Sequence, residues 1–172
     1  MIRGEAMLNR NFEGNPRNKS RNKGFTLVEL MTTVLILGTL SAISIPSFIV
    51  QLHKGRQSEA ETLISQLITQ SSAYNDEFGK APESWSDLDE IATIPTKDGA
   101  ASTADFADIT TPSGNYLVST TQSNNKYTYI AKPKDTNASK YNVVGCSNVA
   151  TGASQIISGN SKAAASTGDL KC

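Results

Sequence analysis

The sequence has few of the residues from which catalytic and metal-binding sites are usually built. Its 172 residues include one histidine and two cysteines, too few for a histidine-rich metal site or a four-cysteine zinc site. Aromatic residues make up 6% of the chain, and 16 Lys and Arg balance 16 Asp and Glu. That balance excludes a strongly basic nucleic-acid-binding protein and an acidic disordered chain. The length fits one domain.

The charges are unevenly distributed along the chain. Residues 1–24 contain six basic and two acidic side chains, a net charge of +4. From Leu30 to Leu52 there follow 23 residues without a charge. As a helix this segment is about 35 Å long, enough to cross a hydrocarbon core of about 30 Å. The positive flank predicts that the N-terminus stays in the cytoplasm and that the remainder lies outside.

Two ordinary explanations of this segment leave Glu29 unexplained. A secretory signal peptide normally has an apolar region of only about 7–15 residues. A plain signal anchor accounts for the length and the orientation, but it does not require a carboxylate at the start of its membrane helix. Because such a charge is costly in hydrocarbon, acidic groups there usually serve a function. Glu29 is therefore a candidate functional residue.

Residues 24–30, with the sequence GFTLVEL, resemble the processing site of type IV prepilins. In that family a basic leader ends in glycine, and the mature chain begins with phenylalanine and has glutamate at its fifth position. Pro46 falls at the twenty-second mature position, where many pilins have a proline. Residues 51–60 also resemble pilins of cyanobacteria, whose leaders are often long. The resemblance covers about residues 19–80.

The resemblance implies a processing pathway and a set of partners. A prepilin peptidase would cut between Gly24 and Phe25 and methylate the new amine of Phe25, so the mature protein would keep its membrane helix. In a filament, Glu29 of one subunit would meet the Phe25 amine of another, and the helix would partly melt near Pro46. The implied partners are other pilin subunits, the peptidase, an inner-membrane assembly platform and, before assembly, membrane lipid. The scattered lysines do not indicate direct nucleic-acid binding, and no motif indicates a cofactor.

The mature chain is predicted to begin with one long helix, from Phe25 to about Glu77. Its first half is apolar all round, and Pro46 should kink or locally open it. Its second half has an apolar stripe at steps of three and four, which predicts packing against a sheet of the same chain. An amphipathic helix lying on the membrane is the alternative, but the polar face is acidic rather than basic. The stripe consists of Ala60, Leu63, Ile64, Leu67, Ile68, Ser71, Tyr74 and Phe78.

The remainder of the chain predicts a small sheet domain. Residues 79–112 should be irregular with one short helix over residues 87–91, capped by Ser86. Its acidic residues favour a charged helix start over a calcium site. Three strands are predicted at residues 115–120, 127–132 and 141–146. The fold class is α+β: a long N-terminal helix, transmembrane and then amphipathic, packed on a small antiparallel sheet as in the pilin fold.

The residues after the last predicted strand form a tail rich in Ser, Ala, Gly and Asn, with little capacity to build a core. Cys146 and Cys172 enclose this tail. An even cysteine count outside the cytoplasm fits one disulfide, although two free buried thiols are the alternative. His53 is interpreted as an interfacial residue rather than a ligand. Residues 137–139 match a glycosylation sequon, a weak signal.

These observations lead to one principal interpretation and two alternatives. The domains are a cleaved leader (1–24), a transmembrane and assembly half-helix (25–52), an amphipathic half-helix (53–78) and an extracytoplasmic head (79–172). The chain is interpreted as a non-enzymatic subunit of an extracellular type IV pilus supporting adhesion, twitching motility or DNA uptake, first held in the inner membrane as a precursor. A minor pilin or type II secretion pseudopilin is one alternative, and an unassembled membrane-anchored binding domain is the other.

Overall fold

The structure is a computed structural model that describes residues 24–172. The predicted leader falls almost entirely on residues 1–23 and so lies outside the described residues. The chain divides into two compact units, Met1–Ser41 and Ala42–Cys172.

The first described element is the helix α1, Leu27–Phe78. It starts two residues after the predicted Phe25 and ends one residue after the predicted Glu77. Within residues 24–172, α1 is the one helix that is long and apolar enough to cross a membrane by length and composition. The large apolar side chains of its first half are exposed rather than buried in the protein, as suits a segment whose surroundings are lipid or another chain.

The second unit contains a five-stranded antiparallel sheet in which sequential strands are neighbours. Short connections between adjacent strands give this simple up-and-down order. The predicted strands at 115–120, 127–132 and 141–146 correspond to β4, β5 and β6, with boundaries displaced by one to three residues. The strands are β3 (Ile109–Thr110), β4 (Tyr116–Ser123), β5 (Lys126–Pro133), β6 (Val143–Asn148) and β7 (Ala153–Ser158).

The second half of α1 packs against one face of this sheet. Alternate residues of the central strands point toward the helix, including Tyr127, Tyr129 and Ala131 of β5. Gly145 of β6 permits the closest approach, because a Cβ atom there would lie 2.5 Å from a methyl carbon of Ile64. Every member of the predicted stripe is buried except Phe78. The predicted α+β arrangement of helix and sheet is confirmed.

The segment between α1 and the sheet contains one short helix and two minimal strands. Helix α2 spans Trp85–Ile91, and β1 (Pro95–Thr96) pairs with β2 (Gly99–Ala100). The predicted cap at Ser86 is wrong. Ser84 caps α2 instead, because its side chain accepts from the backbone N–H of Asp87, and the Asp87 carboxylate reciprocates. The earlier start places Trp85 in the core.

The C-terminal tail contains a strand that the sequence reading missed. β7 pairs with β6 along its whole length, from Val143 opposite Ser158 to Asn148 opposite Ala153. Its side chains are only partly buried, so the segment lacks the apolar alternation by which strands are recognised. Pairing with a buried neighbour therefore stabilises it more than its own composition does.

Candidate processing and assembly site

The predicted processing junction is exposed and precedes the helix. Gly24, Phe25 and Thr26 lie outside α1, and Phe25 is 84% exposed. A Cβ atom added at Gly24 would meet nothing within 4 Å. A protease that reads an extended strand of substrate can therefore reach the Gly24–Phe25 bond without unwinding the helix.

Glu29 forms a capping box with Thr26 at the start of α1. The backbone N–H and the hydroxyl of Thr26 both donate to Glu29 Oε2, each at 2.8 Å, and the backbone N–H of Glu29 donates to Thr26 Oγ1 at 3.2 Å. This arrangement satisfies helix-terminal donors and places a negative charge at the positive end of the helix dipole. Thr26 was missed as a functional residue, although a Thr-x-x-Glu pattern before an apolar run was present in the sequence.

The capping box gives Glu29 a partner within its own chain. In the described part of the chain, the one ion pair joins Arg56 and Asp135, so Glu29 has no cation beside it. The predicted partner, a Phe25 amine, exists only after the bond to Gly24 has been cut. The pairing of Glu29 with another subunit's Phe25 stays a prediction.

Four hydroxyl groups within the apolar half of α1 are satisfied by its own backbone. Thr32, Thr33 and Thr39 each donate to the carbonyl oxygen three residues earlier, at 2.9–3.0 Å. Ser41 donates to Leu37 O at 2.7 Å. Because these groups need no outside partner, they are compatible with a hydrocarbon environment.

Pro46 lies within α1 and is flanked on both sides by helical residues. The predicted local opening of the helix at this proline is therefore absent from the described isolated chain. Partial melting inside a filament involves neighbouring subunits and stays a prediction.

Cys146 of β6 and Cys172 at the C-terminus form a disulfide, with their Cα atoms 6.1 Å apart. Neither cysteine is free. The Lys126 ammonium donates to the backbone oxygen of Cys172 at 3.0 Å, and the backbone N–H of Lys171 donates to Gln155 Oε1 at 2.7 Å. These contacts hold the end of the tail against the sheet face opposite α1.

A polar cluster that fastens the middle of the tail was not predicted. The Gln57 amide donates to two backbone oxygens, those of Asn142 at 3.2 Å and Gly159 at 2.8 Å. The Asn142 side chain makes two reciprocal hydrogen bonds with the backbone of Ala165, at 2.9 and 2.8 Å. We call Gln57, Asn142, Gly159 and Ala165 the tail clamp. Nothing in the sequence distinguishes these residues from the many other Asn, Gln and Gly residues nearby.

His53 is buried in the protein. Its ring stacks on that of Tyr141, with centroids 5.2 Å apart and an interplanar angle of 29°. The sequence placed His53 at the membrane boundary because it follows the apolar segment directly, and that position stays a prediction. Tyr141, brought back by the β5–β6 connection, covers it.

Burial raises the pKa of three tyrosines in the head. The pKa of Tyr116 rises to about 12, chiefly through desolvation and secondarily through the negative charge of Glu61. Its hydroxyl donates to Tyr141 O at 2.8 Å. Desolvation likewise raises the pKa values of Tyr127 and Tyr129. These phenols are neutral structural donors, so they do not indicate acid–base chemistry.

Comparison with known proteins places the similarity at the N-terminus. Residues 19–45 match the family described as the prokaryotic N-terminal methylation motif. The type IV major pilin protein PilA of Myxococcus xanthus is 44% identical over 77 residues, which cover 39% of this chain and 35% of that protein. The type II secretion system core protein G of Aeromonas hydrophila is 31% identical over 78 residues, covering 45% of this chain and 54% of that protein.

A fimbrial protein of Moraxella nonliquefaciens is 45% identical over 47 residues, covering 27% of this chain and 30% of that protein. The matched regions thus span between 30% and 54% of these relatives. No solved structure is significantly similar. The motif match and the relatives support a type IV pilin, whereas a specifically cyanobacterial likeness stays a prediction.

Proposed function

We propose that this chain is the structural subunit of an extracellular type IV pilus. One observation carries the proposal: an exposed Gly24–Phe25 junction leads directly into a helix that is capped by Glu29 and continues into a folded head. Cleavage at that junction leaves the apolar segment attached to the head. The product is a subunit with an exposed apolar helix, which membrane lipid or other subunits can cover.

The proposed pathway has two locations. A peptidase at the inner membrane cuts the 1–24 leader and methylates Phe25, while residues 25–52 remain in the bilayer. Residues 53–172 form the head outside the cytoplasm. The subunits then leave the membrane, and residues 25–52 pack in the filament core with Phe25, Glu29 and Pro46 at subunit contacts. Adhesion, twitching motility and DNA uptake are the processes that such a filament serves. The role is structural rather than enzymatic.

Mass spectrometry of sheared surface filaments tests the proposal. The expected N-terminal peptide begins with methylated Phe25, and its abundance should match that of peptides from the head. Trace amounts would indicate a minor pilin, and complete absence from the filaments would refute the filament role. A membrane-anchored protein that still begins before Gly24 would instead support the unassembled binding domain.

Two substitutions separate the charge of Glu29 from its capping role. Glutamine at this position can keep the capping box, because glutamine serves in such boxes as glutamate does. If Glu29 pairs with a neighbouring amine, both Glu29→Gln and Glu29→Ala strand that amine at a cost of about 3–5 kcal/mol. Both variants should then insert in the membrane and fail to form filaments.

The exposed Glu77, near the end of α1, provides the matched control. Glu77→Gln removes one charge from the same helix outside the proposed core, and filament yield should be unchanged. Normal filaments from Glu29→Gln would refute the ion pair and assign Glu29 to helix capping alone.

A type II secretion pseudopilin is the second candidate. The similarity to core protein G extends over 54% of that protein, the largest share among the three relatives described. A pseudopilin shares the N-terminal processing but does not form long surface filaments. Methylated Phe25 found only in the membrane or periplasmic fraction would favour this candidate.

A further inference from the structure

Four basic side chains meet where the head joins the apolar half of α1. Lys54 and Arg56 follow the uncharged segment, which ends at Leu52, and Lys134 and Lys140 lie in the connection between β5 and β6. Lys54, Lys134 and Lys140 are exposed, and Arg56 is partly exposed. We call these four residues the juxtamembrane basic surface.

Two contacts bring the β5–β6 connection to this end of the helix. The ring of Tyr141 stacks on that of His53, and Arg56 Nη1 lies 3.9 Å from Asp135 Oδ2. Lys134 and Lys140 are direct neighbours of Asp135 and Tyr141 in the chain. The two lysines are therefore held beside the first two turns that follow the apolar segment.

The charge of this surface is opposite to that of the rest of the subunit. Residues 53–57 and 133–141 contain four basic side chains and one acidic one, a net charge of +3. Residues 25–172 as a whole contain 10 Lys and Arg and 14 Asp and Glu, a net charge of −4. All remaining positions together thus carry −7.

The basic groups within this surface keep hydrogen-bond donors available. Lys134 Nζ makes one hydrogen bond, to Thr110 Oγ1 at 3.1 Å, and can donate twice more. The pair between Arg56 and Asp135 is partly exposed and at the long limit of ion-pair distance. Such surface pairs contribute little energy, so the guanidinium can exchange its partner for a stronger acceptor.

The position of the surface along the chain identifies that acceptor. A helix rises about 1.5 Å per residue, so Lys54 and Arg56 stand about 3 and 6 Å beyond Leu52 along the axis. The polar headgroup layer extends about 5–7 Å beyond the hydrocarbon core on each side. When the apolar segment spans the bilayer, both side chains stand at the level of the lipid phosphates.

We propose that the juxtamembrane basic surface binds anionic phospholipid headgroups in the outer leaflet of the inner membrane before assembly. Ammonium and guanidinium groups donate to phosphodiester oxygens, and anionic lipids add long-range attraction. The inference rests on the membrane insertion in the proposed function, but it goes further by assigning a lipid contact to the head. Head residues thereby dock on the membrane, and this contact must break when the subunit enters a filament.

Spin-labelled lipids measure this contact directly. The full chain is reconstituted in nanodiscs of phosphatidylcholine and phosphatidylglycerol, and the relative association constants of the two spin-labelled lipids are determined by electron spin resonance. We expect a several-fold preference for phosphatidylglycerol at low salt, reduced at high salt. The double variant Lys54→Gln/Lys140→Gln should reduce this several-fold preference to about twofold or less.

The matched control removes the same number of charges from the opposite end of the head. Lys80 follows Phe78, the last residue of α1, which lies about 36 Å along the helix axis from Lys54, and Lys126 follows the β4–β5 turn. Lys80→Gln/Lys126→Gln should keep the full preference. Equal losses in both double variants, or no preference in the unmodified chain, would overturn the proposed surface. A chain that fails to migrate with the nanodiscs would overturn the membrane insertion as well.

Discussion

Replacing Gln57 by alanine tests whether the tail clamp stabilises the head. The Gln57 amide is buried between the β5–β6 connection and the end of β7, where it donates to the backbone oxygens of Asn142 and Gly159. Asn142 O also accepts from the Gly159 N–H at 2.8 Å. Alanine therefore leaves Asn142 O with a partner, but it strands the oxygen of Gly159.

The expected loss follows from these contacts. Each neutral hydrogen bond contributes about 0.5–1.5 kcal/mol, and a buried group left without a partner costs about 1–3 kcal/mol. Because the two effects overlap, the free energy of unfolding should fall by about 2–4 kcal/mol. Backbone N–H groups of residues 159–165 should also exchange faster with solvent, because the clamp fastens this part of the tail.

Trp85 provides the assay. It is the single tryptophan of the chain, its side chain is fully buried, and its indole N–H donates to Ala107 O at 2.7 Å. Its fluorescence therefore reports unfolding of the head when the full chain is titrated with denaturant in detergent micelles. Gln66→Ala is the matched control, since Gln66 lies on the same helix and makes one hydrogen bond, to Thr93 O at 3.3 Å.

The difference between Gln57→Ala and Gln66→Ala in the free energy of unfolding shows whether the tail clamp stabilises the head. Both variants change the same residue type in the same helix, so helix propensity cancels between them. The control should lose less than about 1 kcal/mol. Equal losses, or a Gln57→Ala variant within about 0.5 kcal/mol of the unmodified chain, would show that the clamp does not stabilise the head.

Three further changes test the packing, the disulfide and the buried phenols of the head. Gly159→Ala places a Cβ atom 2.0 Å from a backbone oxygen, so the free energy of unfolding measured by denaturant titration should fall by about 1–3 kcal/mol. Gly55→Ala is the contrasting change: a Cβ atom there lies in open space on the helix, and the free energy of unfolding should rise by about 0.5–1 kcal/mol. Replacing Cys146 and Cys172 by serine opens a loop with a sequence separation of 26, and should lower the free energy of unfolding by about 3.5 kcal/mol. The pKa of Tyr116 is raised to about 12 in the folded head, whereas a tyrosine in the unfolded chain has a pKa of about 10. Above pH 10 the unfolded chain therefore loses the phenol proton before the folded head does, and the free energy of unfolding should fall by at most about 1.4 kcal/mol per pH unit. Tyr116→Phe should make that fall less steep. An unchanged slope of the free energy of unfolding against pH would show that Tyr116 does not contribute to it.

The parts of the fold that follow from periodicity were predictable from the sequence. The alternation of Tyr127, Tyr129 and Ala131 indicated a strand with one buried face, and the structure has that strand. The stripe that begins at Ala60 indicated the face of α1 that packs on the sheet. In both cases apolar burial determines the structure. A buried face requires apolar residues at the repeat distance of the strand or helix, and that spacing is visible in the sequence.

The parts that depend on individual polar contacts were not predictable. β7 lacks a buried alternating face because it is stabilised by pairing with β6. Gln57 and Asn142 act through backbone oxygens from distant parts of the chain, and such pairing has no local signal. Ser84 replaced Ser86 as the cap because burial of Trp85 extends α2 backwards by two residues.

In the candidate site, too, only the residues that belong to a sequence motif could be predicted. Gly24, Phe25 and Glu29 were found through a motif with fixed spacing, and the structure adds the exposed junction and the capping box. The contribution of Thr26 was readable as a capping pattern but was overlooked beside the stronger prepilin resemblance. Roles that require a second subunit, such as the predicted contact between Glu29 and Phe25, involve atoms of two chains, so one chain does not test them.

The hydroxyl and amide side chains of α1 have different hydrogen-bond partners. Hydroxyls in both halves donate to carbonyl oxygens of their own helix, including Thr62 and Thr69 in the second half, whereas the amides of the second half reach other elements. Between Leu27 and Ser41 the hydroxyls turn back to the helix backbone. Beyond residue 56, Gln57, Gln70 and Asn75 donate instead to backbone oxygens of other elements. Hydrogen bonds to fixed acceptors determine one arrangement of the head on its helix, because any displacement leaves buried groups unpaired. In the proposed filament the apolar half offers neighbouring subunits dispersion contacts that tolerate sliding along the axis, so we expect Glu29 to determine the axial position of a neighbouring subunit.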